Sequence, residues 1–291
     1  MDERKNIENI HIESLVQFID QILNIENKNH QKIFYRGHSN ENYLLEPSLF
    51  RKNNQSHTEY CSQEHILYRE LYMSEYKEFI NDKYTLDKLV RMQHYSMPTR
   101  LLDLTSNPLI ALYFACKSSI EIDERVGEVI LFFINNKYIK YYDSDTASCI
   151  ANLARLSHDE KKAINFNREK ERFNQQPSIK KLLHFIREEK PFFEPRIDKY
   201  DLENIICIKG IKNNIRISSQ SGVFLLFGLN ATLNENGNEH IEIQRIKIHN
   251  RKKILQELDL ININESTVFP DIESSARYIS YKNSSNNRYP N

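Results

Sequence analysis

Apolar residues recur along the first third of the chain at spacings that predict helices and one strand. Apolar residues at positions 12, 15, 16, 19, 22 and 23 would lie on one face of a helix, which predicts an amphipathic helix from Ile12 to Leu23. The sequence KIFYRG (32–37) predicts a short strand that ends at its glycine. Two further helical patterns occupy residues 67–80 and 86–93, before a break at Pro98.

The middle of the chain is more strongly apolar. Residues 108–117, PLIALYFACK, predict a buried helix, because proline stands in the first turn and apolar residues occupy nearly every side. The continuous apolar run GEVILFFI (127–134) predicts a central strand. Residues 145–190 are polar with helical spacing, and KKLLHFIREE (180–189) is their clearest amphipathic segment.

Strand patterns return near the C-terminus, at residues 203–210, 222–228 and 240–249. In the last of these, four isoleucines alternate with a slip of one residue, which predicts a β-bulge. Helices are predicted around 251–259 and 270–280.

The sequence contains no internal repeat, no low-complexity linker and no sharp shift in composition. We therefore expect a single α+β domain over residues 1–291, with its core at about 10–282. A helical elaboration is expected at about 145–190, and residues 283–291 are expected to be frayed.

Charge and composition narrow the possible functions. Forty Lys and Arg residues balance forty Asp and Glu residues, which argues against a nucleic-acid binder but leaves a local basic patch open. No apolar run approaches the ~18 residues of a membrane span, and the charged start MDERKNIENIHIE lacks the apolar segment of a secretory signal. We therefore expect a cytoplasmic protein with no membrane partner.

The four cysteines occur singly, without a CxxC pair or a histidine at ligand spacing. Neither a zinc site nor a disulfide framework is expected from this pattern. Cys116 follows the apolar run ALYFA and is interpreted as a small buried hydrophobic residue.

Two polar segments interrupt the apolar pattern, and the first is Tyr35-Arg36-Gly37. An arginine at a strand end can bind a phosphate or carboxylate through two hydrogen bonds, and such a charged hydrogen bond contributes ~1.5–3 kcal/mol. The adjacent glycine allows the backbone to approach a flat ligand. The alternative is that Arg36 pairs with a buried acid such as Asp103 and organises the fold.

The second polar segment lies between two apolar helices and contains Gln93, His94, Thr99, Arg100, Asp103, Thr105 and Asn107. Thr105, Ser106 or Asn107 is expected to cap the following helix, whose N-terminal N–H groups favour an anion. Each residue also has a structural alternative: an Arg100–Asp103 ion pair, a cap at Ser106 or Asn107, or a core position for His94. The density of the cluster nevertheless predicts a binding site.

Five strings of the sequence resemble the FRG domain in order and spacing, over about residues 10–282. They are YRG (35–37), the segment Leu45 to Arg51, MQHYSMPTRLLDLTSNPLIALYFA (92–115), QSGVF (220–224) and VFPDIESSARYI (268–279). Tyr35 stands where the family name implies Phe, and Ser96 and Leu104 stand where Gly and an aromatic residue are expected. Members of the family recur in bacterial and phage-associated genes. The resemblance implies a defence effector or toxin, with an antitoxin or a phage protein as a partner.

Three motifs are also similar, in their order, to those of ADP-ribosyltransferases: YRG, LDLTSNPLIALYFA (102–115) and QSGVFLLFG (220–228). This resemblance implies a strongly bent or split mixed sheet flanked by helices, with an NAD site where segments 32–37, 101–106 and 220–227 meet. It implies that NAD is the substrate, that no metal is needed, and that a protein or nucleic acid accepts the ADP-ribose, unless NAD is hydrolysed.

The roles that the resemblance implies fall into two groups. Arg36 would hold the NAD phosphates or ribose, Thr105 would support the nicotinamide ribose, and Gln220 would take the place of the catalytic glutamate. The other residues expected to bind NAD are Tyr35, Gly37, Gln93, His94, Thr99, Arg100, Asp103 and Asn107. Gln220 can hydrogen-bond a ribose hydroxyl but supplies no negative charge to the transition state; its alternative role is to bridge strand backbones near Gly222.

The sequence is also compatible with two other functions. A non-catalytic sensing module would use the same pocket for a nucleotide or a phage protein. A nuclease or RNA-binding protein would use His94, Arg100 and Asp103, and its metal would require Asp103 to lie near Asp143 or Asp145.

Overall fold

A computed structural model describes residues 10–26, 30–51, 60–117, 125–210 and 222–284. Its helices are Leu15–Leu23 (α1), Tyr60–Ser74 (α2), Tyr76–Phe79 (α3), Thr85–His94 (α4), Pro108–Cys116 (α5), Asp145–Ala151 (α6), His158–Lys162 (α7), Lys170–Asn174 (α8), Pro177–Glu189 (α9), Lys199–Glu203 (α10), Arg251–Leu260 (α11), Glu265–Val268 (α12) and Ile272–Lys282 (α13). Its strands are Ile10–Ile12 (β1), Gln31–His38 (β2), Leu101–Thr105 (β3), Gly127–Asn135 (β4), Ile139–Tyr141 (β5), Ile205–Lys209 (β6), Gly222–Phe227 (β7) and Ile241–Ile248 (β8). The predicted α+β class is confirmed.

The strands form one mixed eight-stranded sheet in the order β1-β8-β4-β2-β3-β7-β6-β5. β1 pairs with β8 and β5 with β6 in parallel, and the other neighbours are antiparallel. The two central strands β2 and β3 share one register pair, Tyr35 with Thr105, whereas β2 pairs with β4 along its whole length. The sheet therefore consists of two four-stranded halves, β1-β8-β4-β2 and β3-β7-β6-β5, which are joined by this single residue pair. Beyond the pair, a gap separates β2 from β3.

Three clusters of buried apolar side chains hold the helices to the sheet. One joins α1, α5 and α11 to β4 and β8, and another joins α2, α4, α6 and α9 to β6 and β7. The third cluster lies on the opposite face of the central strands and includes Phe34, Phe132 and Leu225. Residues 145–190 form α6 to α9 and the intervening turns.

The β-bulge predicted in β8 is wrong, because β8 pairs with β4 without interruption from Ile241–Ile134 to Ile248–Gly127. The slip in the isoleucine pattern has another cause. Ile241 and Ile243 belong to the third cluster, whereas Ile246 and Ile248 belong to the cluster beneath α5. The strand thus serves two cores on opposite faces, and its apolar side changes halfway along.

Several predicted boundaries also differ from the structure. Ile12 belongs to β1, and α1 begins at Leu15 because the Ser14 hydroxyl accepts a hydrogen bond from the Gln17 amide at 3.3 Å. The strand predicted to end at Gly37 continues to His38. The pattern at 67–80 divides into α2 and α3, and β5 has no counterpart in the sequence prediction. Of the segment expected to be frayed, residues 285–291 lie outside the described residues.

A left-handed residue ends the helix that carries Gln93 and His94. Ser96 has φ 65°, its N–H donates to the Gln93 carbonyl at 2.9 Å, and the Met97 N–H donates to the Met92 carbonyl at 3.0 Å. These two bonds form a Schellman motif, in which glycine is the usual left-handed residue. The expectation of glycine at this position therefore has a conformational reason.

We expect Ser96→Gly to raise the free energy of unfolding by about 0.5–1 kcal/mol, because glycine adopts this conformation without a Cβ clash. Urea denaturation measures the change. Asn262→Gly is the matched control, since Asn262 ends α11 in the same conformation with φ 64° and asparagine tolerates it better than serine. An equal gain at both positions would contradict the explanation.

Candidate functional site

A cavity of about 210 Å³ opens at the gap between β2 and β3. It is bounded by β2, α4, β3, α5 and the start of β7. Its lining residues are Tyr35, Arg36, Gly37, Val90, Gln93, His94, Asp103, Leu104, Thr105, Ile110, Phe114, Gly222 and Phe224. The predicted polar segments therefore meet at one place, because β2 and β3 are neighbours in the sheet and α4 and α5 flank β3 in the chain.

Arg36 bridges the gap between the two strands. Its Nη1 donates to the backbone carbonyl of Asp103 at 2.7 Å, where a sheet partner is missing, and its Nε donates to Nε2 of His38 at 2.9 Å. Burial lowers the pKa of Arg36 to about 10, while the Asp103 carboxylate opposes this shift and Arg51 adds to it. The guanidinium is thus still charged at neutral pH. Among the described residues, no acceptor is recorded for Nη2, so this side chain keeps donors for a ligand at the cavity wall.

A buried chain of polar groups holds Arg36 from behind. Nδ1 of His38 lies 3.2 Å from Oε1 of Glu128, which also receives Nη1 of Arg245 at 2.5 Å. Since Nε2 of His38 accepts from Arg36, the hydrogen-bond pattern assigns the neutral Nδ1–H tautomer to His38. Burial lowers the pKa of His38, although its hydrogen bond to Glu128 opposes the shift, and this favours the same neutral form. Glu128 is fully buried.

Sequence reasoning missed His38 and Glu128. His38 could have been found from strand alternation, since residues two apart on β2 face the same side as Arg36. Glu128 opens an apolar strand that pairs with β2, and its partner in the register is His38 itself. The sequence has no local signal for that cross-strand pair.

Gln93 and Thr99 act together at the end of α4. The Thr99 hydroxyl donates to Oε1 of Gln93, and Thr99 is almost completely buried while Gln93 lines the cavity. With Oε1 engaged, the Gln93 amide nitrogen has no recorded acceptor among the described residues and can donate to a ligand. Thr99 therefore positions Gln93, and it does not itself line the cavity.

Thr105 and Asn107 occupy the turn from β3 into α5. The Thr105 hydroxyl accepts from the Asn107 amide at 3.0 Å, and Oδ1 of Asn107 accepts from the Leu109 amide at 2.9 Å. Asn107 is thus the cap of α5, one of the three caps expected from the sequence. Thr105 lines the cavity, but Asn107 does not.

The structure places Arg100 outside this cavity. Arg100 is 1 % exposed, and its guanidinium binds the Glu64 carboxylate and the Phe227 carbonyl. The suggested Arg100–Asp103 ion pair is therefore wrong: Asp103 is exposed and lines the cavity, whereas the partner of Arg100 is Glu64. Glu64 is 36 residues away in the chain, which local spacing could not indicate.

The remaining predicted residues divide as follows. Tyr35, Gly37 and His94 line the cavity, and burial raises the pKa of the Tyr35 hydroxyl. The side of Gly37 that lacks a Cβ is filled by the backbone of α5, so the reason given for this glycine, close approach to a ligand, is replaced by helix packing. Gln220 lies outside the described residues, and Gly222 lines the cavity opposite Thr105.

The part of the chain that the structure describes contains no group of three or more His, Cys, Asp or Glu side chains arranged to hold a metal ion. Asp145, considered above as a companion of Asp103, is paired with Lys190 at 2.6 Å. Cys116 is buried as predicted. No described helix combines the length and the apolar character needed to cross a bilayer.

A family model of the FRG domain matches residues 31–124, a segment that runs from β2 through α5 and supplies most of the cavity lining. Residues 31–124 therefore match the FRG domain, as the resemblance in the sequence predicted. The resemblance predicted for residues outside this segment remains a prediction. Comparison with curated proteins found no match, and comparison with solved structures found none either.

Proposed function

We propose that the cavity at the β2–β3 gap binds NAD and that the protein transfers ADP-ribose from it to a macromolecule or to water. The observation that carries the proposal is Arg36, a charged guanidinium with unengaged donors at the wall of a cavity that also presents aromatic and polar side chains. This combination of side chains suits an anionic ligand with flat rings, such as one end of a dinucleotide. The FRG domain supports a setting in bacterial or phage defence. The choice of NAD as substrate rests on the order of the motifs that resemble those of ADP-ribosyltransferases.

In the proposed reaction, the bond between C1′ of the ribose and the nicotinamide nitrogen breaks, and its electron pair goes to nicotinamide. An acceptor oxygen or nitrogen then bonds to C1′ and loses its proton to solvent. Arg36 would bind a phosphate or ribose oxygen, while the Gln93 amide would orient the ligand. Thr105, at the single pair joining the two half-sheets, would contact the nicotinamide ribose.

A negative charge near C1′ would stabilise the positive charge that develops on the ribose. Asp103 is the carboxylate that the described lining offers. We propose that Asp103 supplies this charge, which the amide of Gln220 does not carry.

Release of nicotinamide from NAD by the purified protein tests the proposal. Arg36→Ala is expected to lower kcat/KM at least roughly tenfold, because a charged hydrogen bond worth ~1.5–3 kcal/mol is lost. Arg277→Ala is the matched control, since Arg277 is 57 % exposed on α13 and pairs with Glu273. Full activity of the Arg36 variant would overturn the proposed site, and Asp103→Asn separately tests the carboxylate.

The second candidate function is that of a non-catalytic nucleotide sensor. It is favoured because the described lining contains a single carboxylate, Asp103, and this side chain is exposed. Calorimetry distinguishes the two functions. Binding of NAD that Arg36→Ala weakens, without release of nicotinamide, would establish the sensor and exclude the transferase.

A further inference from the structure

The contact between Arg36 and His38 determines which end of the guanidinium faces the cavity. Nε of Arg36 donates to Nε2 of His38 at 2.9 Å, and His38 is 3 % exposed and does not belong to the cavity lining. Nε–H therefore points away from the cavity, and the Nη end of the guanidinium points towards it. Because Nη1 also donates to the Asp103 carbonyl at 2.7 Å, the ligand is left with Nη2 and the second N–H of Nη1 as donors.

His38 can hold Arg36 in this orientation only while its imidazole ring is neutral. A protonated ring carries an N–H group on both nitrogens, so Nε2–H of His38 would face Nε–H of Arg36 across 2.9 Å. Two donors at this distance form no hydrogen bond, and two positive charges would meet at a buried position. Protonation of His38 therefore breaks the contact that orients Arg36.

The surroundings of His38 favour the neutral ring. Besides Arg36, the titratable and charged groups near this ring are Tyr43, Glu128, Arg245 and Lys247. Burial lowers the pKa of His38 below its ordinary value of 6.5; the hydrogen bond to Glu128 opposes this shift, and Arg36 adds to it. Glu128 accepts the proton on Nδ1 at 3.2 Å, which leaves Nε2 of His38 as an acceptor at neutral pH.

We propose that neutral His38 is a positioning residue of the site: it fixes Arg36 so that the Nη end meets the anionic group of the ligand, and its protonation releases Arg36. This inference rests on the proposed function, because that function depends on Arg36. A released Arg36 side chain has to be ordered again when the ligand binds, and this ordering lowers the affinity. The site therefore binds its ligand most tightly above the pH at which His38 is protonated.

Nitrogen-15 NMR of the ligand-free protein tests the contact directly. The ring nitrogens of His38 should show the proton on Nδ1 at neutral pH, and Nε–H of Arg36 should exchange slowly with water. In His38→Leu this exchange should be at least roughly tenfold faster, because a charged hydrogen bond is lost. As the pH is lowered, the Arg36 signal should weaken together with the protonation of His38. A proton on Nε2 at neutral pH, or equal exchange rates in the two proteins, would overturn the proposal.

Calorimetry with NAD measures the consequence for binding. His38→Leu is expected to weaken NAD binding about three- to tenfold at neutral pH, because Arg36 is no longer held in place. His38→Gln is the matched variant, since its amide oxygen can accept from Arg36 and its NH₂ group can donate to Glu128 without an ionisable ring. Its affinity should stay within about twofold of that of the unmodified protein and, unlike the latter, should not fall as the pH is lowered.

The outcomes separate this proposal from the proposed function. NAD binding that is unchanged in His38→Leu, or that His38→Gln weakens as much as His38→Leu does, would overturn the positioning role. His184→Leu, which replaces a 71 % exposed histidine paired with Glu188, is the control and should bind NAD like the unmodified protein. Absence of NAD binding to the unmodified protein would overturn the proposed function alone, because the NMR measurement detects the contact between His38 and Arg36 without a ligand.

Discussion

Gly37→Ala is expected to lower the free energy of unfolding by about 3 kcal/mol or more. A Cβ at this position would lie 1.9 Å from the carbonyl oxygen of Ala111, 2.6 Å from the backbone nitrogen of Ala115 and 2.9 Å from Cβ of Phe114. All three obstacles belong to α5, and two of them are backbone atoms that no rotamer change can move. The helix would have to shift away from the sheet, at the expense of the buried contacts that α5 makes with β2 and β4.

The same shift would disturb the candidate site, because Ile110 and Phe114 of α5 line the cavity at Arg36. Gly37→Ala should therefore weaken ligand binding even at low temperature, where the variant remains folded. Urea denaturation measures the first effect and calorimetry the second.

Gly210→Ala is the matched control for this prediction. Its Cβ would meet ring atoms of Phe224 at 3.5 and 3.8 Å, which are ordinary contact distances, so a change below about 1 kcal/mol is expected. Similar losses at Gly37 and Gly210 would show that the approach of α5 to β2 does not determine the requirement for glycine.

The sequence predicted the elements around the site well, because the signals there are local. Pro108 and the apolar run after it specify the buried helix α5. The polar residues between α4 and α5 lie on or next to β3, which places them at the gap between β2 and β3. What brings Arg36 to this place is the neighbouring position of β2 and β3 in the sheet, which no local pattern of either segment specifies.

The errors share a different cause. Arg100 and Asp103 are three residues apart and both polar, yet Arg100 is buried against Glu64 and Asp103 is exposed to the cavity. That division depends on α2, whose position relative to β3 is fixed by packing between distant segments. The support of Arg36 by His38 and Glu128 depends in the same way on the pairing of β2 with β4.

Glu64→Gln is expected to lower the free energy of unfolding by about 3–5 kcal/mol, because it removes the carboxylate that pairs with both buried cations, Arg100 and Lys161. Oε1 of Glu64 receives Nε of Arg100 at 2.8 Å, and Oε2 receives Lys161. A neutral amide keeps part of this hydrogen bonding but none of the charge. The matched control is Glu273→Gln, an 81 % exposed residue paired with Arg277, where a change within about 0.5 kcal/mol is expected.

The same carboxylate should make the protein sensitive to acid. Burial raises the pKa of Glu64, but Arg100 and Lys161 outweigh it and lower the pKa to about 2, against an ordinary value of 4.5. Because the folded pKa is the lower one, this stabilisation is complete above pH 4.5 and is lost as the pH falls towards 2. The shift corresponds to about 3 kcal/mol, so urea midpoints measured between pH 5 and about 2.5 should fall steeply in the unmodified protein and less steeply in Glu64→Gln.

Removing the second cation distinguishes a charge imbalance from a simple loss of packing. Glu64→Gln leaves two buried positive charges, and Lys161→Met in the same chain leaves one, held by Arg100. The double variant should therefore be more stable than Glu64→Gln alone, with a coupling between the two sites of about 1–3 kcal/mol. If the two substitutions were additive and the acid profile of Glu64→Gln matched that of the unmodified protein, the three side chains would not act as one ionic group.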